Sequence, residues 1–223
     1  MGDASTQPGS SEPAYLKPYA DATRAYGARF ESLLWVSEDG QRRRFAVLAG
    51  ALHIAQARVA DCGCGRADLL TYLLDHASVP AHYVGIDGVE AMVRAGQEVI
   101  ERRAAGIGRC ERGDFVADAA LFARLVEQDG INTIIFSGSL NTLSQRQAEA
   151  VLERAFAALS PGGVLAFNFL SSLHTRPGVR EEGPARRFTT LAMLRTALEQ
   201  TPLVRFWHDY LGGHDATIVM RKA

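Results

Sequence analysis

Residues 58–68 read RVADCGCGRAD: an apolar run, an aspartate, and a glycine turn that leads into the helical pattern LLTYLLDH. A strand, a glycine turn and a helix N-terminus in this order bring backbone N–H groups close to a ligand. Gly63 and Gly65 suit such a turn because a Cβ would block the ligand or forbid the dihedral angles. The stretch therefore predicts a site for a nucleotide-like ligand in an α/β domain.

The composition limits the class of protein. The chain has 223 residues, of which 47% are hydrophobic and 22% charged, as expected for a globular domain with a large core. The formal net charge of −1 gives no basic field that would favour nucleic acid or an anionic membrane. No apolar run approaches the ~18 residues of a membrane span, and the polar start MGDASTQPGSSEP does not resemble a signal peptide.

The cysteines indicate a reducing compartment. The chain has three of them, Cys62, Cys64 and Cys110. An odd number of cysteines without a secretion signal is typical of reduced thiols, so we expect a cytoplasmic protein. No second Cys or His pair stands at the spacing of zinc ligands, so we predict no metal site.

Strand and helix patterns alternate after the glycine turn, which predicts a parallel sheet with helices on both faces. The last two apolar runs, LVRFWHDYL and ATIVMRK, are joined only by GGHD. So short a connection permits only an antiparallel pair, and we predict an α/β fold whose sheet ends in a hairpin. The intervening strands are predicted at 81–87 (AHYVGID), 109–115 (RCERGDF), 131–137 (INTIIFS) and 164–170 (VLAFNFL).

The chain is predicted to form one globular domain with N-terminal additions. Residues 1–13 are polar and indicate a flexible tail. Residues 14–57 are predicted to form a helical cap, and residues 58–223 the ligand-binding domain. The sequence shows no internal repeat and no second domain.

The helical cap carries aromatic residues. Its first helix is interrupted by Pro18 and Gly27, and a turn at Asp39 and Gly40 leads into the second helix. Tyrosines recur near one face of the first helix, where they either pack on the core or form a lid over the ligand. These residues are Tyr15, Tyr19 and Tyr26.

Aspartates mark the ends of the second and third strand patterns. Asp87 lies about twenty residues beyond the glycine turn, where a carboxylate accepts hydrogen bonds from ribose hydroxyls. Asp114 lies at the end of the third strand pattern. Asp68 stands where a dinucleotide site has its third glycine, and an acid there would repel a pyrophosphate. S-adenosylmethionine carries a cationic amino group and a sulfonium instead, so we favour it and keep a nicotinamide dinucleotide as the alternative.

The chain resembles the class I S-adenosylmethionine-dependent methyltransferases. The matching stretches cover most of residues 58–223 in the family's order, and they are VADCGCGRAD, YVGID, RGDF, TIIFSGSLN, LSPGGVLAFNFL and DYLGGHDATIVMRK. The resemblance implies a Rossmann-like, doubly wound sheet of about seven strands whose last strand runs antiparallel between the fifth and sixth. The chain departs from many relatives at Ala67, where they have a third glycine, and at Ser137, where they have an acid or asparagine.

The resemblance also implies roles for the residues at the strand ends. Asp61 would lie near the amino group of the cofactor, and Asp87 would accept from the ribose hydroxyls. Asp114 would accept from the adenine amino group, Phe115 would flank the ring, and Ser137 would lie near the reactive methyl group. The predicted cofactor-binding residues are Asp61, Cys62, Gly63, Cys64, Gly65, Asp87, Gly88, Asp114, Phe115, Ser137 and, from the cap, Tyr19.

Methyl transfer from a sulfonium is a direct displacement that leaves S-adenosylhomocysteine, so the protein must mainly orient and desolvate the reactants. A base is needed only if the acceptor loses a proton. The predicted catalytic residues are Asn141 and Asn168, near the ends of the fourth and fifth strands, and His174 in the irregular loop that follows. The alternatives are a loop cap for the two asparagines and an ordinary surface position for the histidine. His214 and Asp215 fall in the hairpin connection, where turn chemistry alone accounts for them.

The acceptor is predicted to be a small molecule. An RNA substrate would require a broad basic face or a recognition domain, and neither is evident. The amino-methyltransferase motif, Asp or Asn followed by Pro-Pro and an aromatic residue, is absent. The alternatives are an RNA methyltransferase and a non-catalytic protein that binds S-adenosylmethionine. We expect a monomer or homodimer with no membrane partner.

Overall fold

The structure is a computed structural model that describes residues 12–174 and 183–223. Its strands are β1 (Arg58–Cys62), β2 (His82–Asp87), β3 (Gly108–Arg112), β4 (Thr133–Ser137), β5 (Val164–Leu170), β6 (Val204–Trp207) and β7 (Asp215–Arg221). They form one seven-stranded sheet in the order β3-β2-β1-β4-β5-β7-β6. Strand β7 runs antiparallel to both of its neighbours, and β1 to β5 pair in parallel. The predicted Rossmann-like α/β fold is confirmed, including the antiparallel last strand between the fifth and sixth.

Helices cover both faces of the sheet. They are α1 (Lys17–Tyr26), α2 (Glu38–Ala51), α3 (Asp68–Asp75), α4 (Glu90–Arg103), α5 (Leu121–Asp129), α6 (Gln145–Ala158) and α7 (Thr190–Gln200). Apolar side chains of α2, α3 and α4 form one core with Val59 and Ile135, whereas α5, α6 and α7 form the other with Ala60 and Ile134. Neighbouring residues of a strand point to opposite faces, which explains why the central strands are apolar throughout.

Two predictions about the N-terminal segment are wrong in detail. Asp39 and Gly40 lie in the first turn of α2 rather than in a separate turn, because the Ser37 hydroxyl caps the helix by accepting from the Gly40 N–H at 3.1 Å. Pro18 lies in the first turn of α1, where proline is tolerated, and so it does not interrupt the helix. Gly27 ends α1, as a glycine commonly does.

The closing hairpin is shorter than its apolar pattern. Strand β6 ends at Trp207, and a 3₁₀ turn at residues 211–213 precedes β7. Likewise, β3 ends at Arg112, so Asp114 and Phe115 belong to the loop beyond it. These loops lie at the carboxyl edge of the parallel strands, where α/β folds bind their ligands. Within residues 12–174 and 183–223, no helix has the length and apolar character needed to cross a bilayer.

Candidate functional site

The glycine turn after β1 is held against β2. The N–H groups of Gly63 and Cys64 both donate to the Ile86 carbonyl, at 2.7 and 3.0 Å. Gly63 has a φ of 79°, and a Cβ there would overlap the Ser139 side chain. Ala67 has a φ of 59° at the N-cap of α3, the left-handed conformation that glycine adopts without strain. Ala67 therefore adopts a backbone conformation that favours glycine.

Asp87, at the end of β2, joins this turn to the next helix. Its carboxylate accepts from the Gly65 N–H at 2.9 Å and from the Val89 N–H at 2.9 Å, one bond to each oxygen. A carboxylate can accept about four hydrogen bonds, so both oxygens retain acceptor capacity. The side chain borders a cavity, with Gly88 beside it. This geometry suits a ligand that donates two hydroxyl groups.

Asp114, in the loop after β3, is fixed in the same way. Its Oδ1 accepts from the N–H groups of Val116 and Ala117, at 2.9 and 3.0 Å. Its Oδ2 accepts from the Tyr15 hydroxyl at 2.7 Å. Phe115 packs edge-on against Phe136, with 5.4 Å between the ring centroids, and borders the cavity.

The cavity lies between these strand ends and the N-terminal segment. Its volume is about 650 Å³, open mouth included. The floor is formed by the glycine turn, Asp87 and the loop that begins with Ser137. The roof is formed by side chains that precede α2, and they are Tyr15, Leu16, Tyr19, Leu33 and Trp35. A side chain at Gly138 would overlap the Trp35 ring, and one at Gly65 would lie 2.7 Å from Leu33.

Negative charge is concentrated at the glycine turn. Burial raises the pKa of Asp61 to about 7. The hydrogen bond from the Tyr83 hydroxyl lowers this pKa, and the nearby charges of Asp87 and Asp68 raise it. The Tyr83 hydroxyl lies 2.8 Å from Asp61 Oδ2. Burial also raises the pKa of Asp87. Arg66 pairs with Asp68 at 2.8 Å and offsets one of the charges. The turn therefore favours a cationic group over an anionic one.

The comparisons with known proteins agree with this geometry. The family model described as a methyltransferase domain matches residues 59–163. Residues 59–163 thus form a methyltransferase domain of the class I, S-adenosylmethionine-dependent type. The chain is therefore an enzyme that uses S-adenosylmethionine, which supplies a methyl group activated by a sulfonium. A search by sequence among curated proteins finds no match.

Solved structures share the fold of this methyltransferase at low sequence identity. The magnesium protoporphyrin IX methyltransferase of Synechocystis PCC 6803, with bound S-adenosylhomocysteine, is 13% identical, with a TM-score of 0.67 over 93% of this chain and 99% of that one. An O-methyltransferase family protein of Burkholderia thailandensis is 15% identical, with a TM-score of 0.64 over 82% of this chain and 56% of that one.

A further structure shares the fold. The phosphoethanolamine N-methyltransferase 1 of Haemonchus contortus is 16% identical, with a TM-score of 0.64, and the match covers 92% of this methyltransferase and 48% of that chain. The methyltransferase thus spans about half the length of the Haemonchus and Burkholderia chains.

The residues of the methyltransferase fit this cofactor. The buried Asp61 lies beside Asp68 and Asp87, which suits a ligand with an ammonium and a sulfonium and disfavours a pyrophosphate. Asp87 keeps acceptor capacity for a ribose. The alternative of a nicotinamide dinucleotide gains no support from this charge distribution.

The predicted catalytic residues do not meet at one point. Asn168 is fully buried; its Nδ2 donates to Ser137 Oγ at 3.2 Å, and its Oδ1 has no hydrogen-bond partner among the described residues. Asn141 is also buried, and its Oδ1 accepts from the Leu170 N–H at 3.3 Å. His174 lies farther along the edge, with its ring 6.3 Å from that of His214. Ser137 lines the cavity, whereas Asn141, Asn168 and His174 are not among the described residues that line it.

Sequence reasoning missed several residues of the wall. Ser139 and Thr142 lie in the loop after β4, where a polar loop at a strand end is a usable signal. Trp35, Leu16 and Leu33 reach the cavity only through the packing of the N-terminal segment. In the irregular loop that follows β5, residues 175–182 lie outside the described part of the chain.

Proposed function

We propose that this methyltransferase transfers the methyl group to a small-molecule acceptor by direct displacement. The observation that carries the proposal is the roof of the cavity. N-terminal side chains between Tyr15 and Trp35 form a roof beside the glycine turn, so an acceptor must enter the cleft beneath them. The lining of the cavity is mainly apolar with a few polar groups, as is usual for small-molecule sites. A nucleic acid would require an open basic face, which the net charge of −1 does not favour.

The cofactor would lie along the floor of the cavity. We assign Asp61 to the amino group, Asp87 to the ribose hydroxyls, and Asp114 with Phe115 to the adenine. The acceptor capacity left on Asp87 supports its role, and the charge at Asp61 supports the position of the ammonium. The remaining assignments that line the cavity are Gly63 and Gly65 in the turn, Gly88 beside Asp87, Ser137 at the reactive end and Tyr19 in the roof. Cys62 and Cys64, also assigned to the turn, are buried.

The acceptor would be oriented at the end of β4. Asn168 is buried and donates from Nδ2 to Ser137 Oγ at 3.2 Å, which supports a role in orienting that hydroxyl. The bond from Leu170 to Asn141 supports a role in fixing the loop that carries Ser139 and Thr142. His174 remains a candidate at the rim of the site. These side chains would orient the reactants and exclude water rather than supply a nucleophile.

A methyl-transfer assay tests the proposal directly. The purified protein is incubated with labelled S-adenosylmethionine and either a panel of phenols, catechols, carboxylic acids and primary amines, or total RNA. We expect label in the small molecules and none in RNA. Label in RNA alone would support the alternative of an RNA methyltransferase. Tight binding of S-adenosylhomocysteine in calorimetry, without transfer to any acceptor, would support the non-catalytic alternative.

A further inference from the structure

A buried ion pair lies between α2 and the start of β7. Arg44 donates from Nε to Asp215 Oδ1 at 2.6 Å and from Nη2 to Oδ2 at 2.7 Å. The two side chains are 8% and 1% exposed. A buried ion pair adds little to the free energy of unfolding. Its bidentate geometry, however, fixes the position of the carboxylate.

The ion pair contacts Trp35, a residue of the cavity wall. The Arg44 guanidinium lies over the Trp35 ring, 4.6 Å from its centroid. Trp35 in turn covers Gly138, the residue after β4. A single aromatic ring therefore separates the ion pair from the reactive end of the candidate site.

His214 is the third member of this cluster. Its Nδ1 lies 2.7 Å from Asp215 Oδ2. An ionised carboxylate can only accept, so Nδ1 must carry the proton, and Nε2 of the neutral ring is left with its lone pair. A histidine held in this tautomer by a buried carboxylate is the arrangement that enzymes use for a general base. The sequence suggested turn chemistry for His214 and Asp215, but turn chemistry does not explain the two hydrogen bonds from Arg44 to Asp215.

The strand pairing places His214 at the carboxyl edge of the parallel strands. Asp215 pairs with Leu170, the last residue of β5, and the Ser171 N–H donates to the His214 carbonyl at 3.0 Å. His214 thus lies just beyond the carboxyl end of β5, next in the sheet to β4, which ends at Ser137. Its side chain is 25% exposed.

Other charged and titratable groups face His214 from several elements. Arg44 and Asp215 approach from α2 and β7, and Tyr210 lies near both of them. From the loop after β5, the His174 ring is 6.3 Å away, and Arg187 donates to the His214 carbonyl at 3.2 Å. Among the described residues, Asp215 orients the His214 ring, and Arg44 compensates the charge of Asp215.

We propose that His214 is the general base of the methyl transfer, and that Asp215 and Arg44 are its positioning residues. The inference rests on the proposed function, and it narrows the acceptor to one with an O–H or N–H group. The lone pair of the acceptor atom forms the bond to the methyl carbon as the carbon–sulfur bond breaks, with that electron pair staying on sulfur. The acceptor proton moves to His214 Nε2 and then to solvent.

Kinetics of the variant His214→Gln provide the first test. Glutamine leaves the Arg44 ion pair intact but cannot take a proton. With the best acceptor of the panel, we expect kcat to fall about 100-fold and its pH profile to change. The affinity for S-adenosylhomocysteine should be unchanged. The matched control is His208→Gln in the same hairpin, since His208 Nε2 is already bonded to Ser171 Oγ at 2.8 Å. It should retain the wild-type profile.

The tautomer of His214 provides a test that needs no acceptor. In the ¹⁵N-labelled full-length protein at pH 8, the ring signal lost in His214→Gln should report a proton on Nδ1. A proton on Nε2 would overturn the proposal. So would a His214→Gln enzyme with wild-type kcat and pH profile. If the wild-type enzyme methylates only RNA, the small-molecule function fails, but the kinetics can be repeated on that substrate and the tautomer still decides the role of His214.

Discussion

Tyr15 and Asp114 are 99 positions apart in the chain and are joined by a hydrogen bond of 2.7 Å, from the tyrosine hydroxyl to carboxylate Oδ2. Asp114 is also tied to its own loop through the Val116 and Ala117 N–H groups. Burial, reinforced by Asp114, raises the pKa of the Tyr15 hydroxyl, so it remains a donor. The bond therefore links the N-terminal segment to the loop that we assign to the adenine.

The variant Tyr15→Phe should weaken cofactor binding. Removing one hydrogen bond of this kind costs roughly 0.5–1.5 kcal/mol, so we expect the Kd of S-adenosylhomocysteine to rise about threefold to tenfold in calorimetry. Tyr26→Phe is a suitable control because Tyr26 is 55% exposed. An unchanged Kd in Tyr15→Phe would show that the N-terminal segment does not contribute to cofactor binding through this bond.

The variant Asp87→Asn should have a larger effect. The amide keeps the shape of the side chain but loses the charge and half of the acceptor capacity that we assign to the ribose. Hydrogen bonds to a charged group contribute about 1.5–3 kcal/mol, so the Kd of S-adenosylhomocysteine should rise at least tenfold. Asp75→Asn, which removes an exposed partner of Arg103, should leave the Kd unchanged. Equal affinities in the two variants would remove the ribose assignment.

The sheet could be predicted from the sequence because its signals are local. Ile134 and Ile135 face different cores, so β4 is apolar throughout, and the short GGHD connection permits one strand direction. The start of α2 was misread because Asp39-Gly40 is also a turn signal, and the Ser37 cap decides between the two.

The candidate site could be predicted only in part. The glycine turn and Asp87 are close in sequence to the strands that position them. The roof depends on contacts such as Trp35 with Gly138, and the His214 cluster depends on Arg44, 171 positions before Asp215. No periodicity encodes a pairing of that range, since it follows from how α2 packs on β7.

The variant Gly63→Ala should abolish cofactor binding rather than merely lower stability. Its Cβ would overlap Ser139, whose hydroxyl donates to the Cys62 carbonyl at 2.5 Å, and the turn would have to shift. The matched control is Gly162→Ala, since Gly162 has a φ of 82° and open space around its Cβ position. It should lose only about 1 kcal/mol of unfolding free energy, through backbone strain. Calorimetry and thermal unfolding of both variants separate the two effects, and cofactor binding retained by Gly63→Ala would contradict the assignment.

Asp61 should make both stability and cofactor binding depend on pH. Its folded pKa of about 7 lies above the ordinary 3.8, so the unfolded state releases the proton first as the pH rises. The unfolding free energy of the protein without cofactor should therefore fall between about pH 4 and 7, by up to ~4 kcal/mol from this group, and level off above pH 7. A cationic amino group binds the ionised form, so the affinity for S-adenosylhomocysteine should rise through the upper part of the same range. The variant Asp61→Asn should flatten both profiles and should be more stable than the wild type at pH 8 without cofactor. Thermal unfolding and calorimetry at pH 5.5, 7 and 8.5 measure both quantities, and a wild-type affinity that does not change with pH would contradict the contact between Asp61 and the amino group.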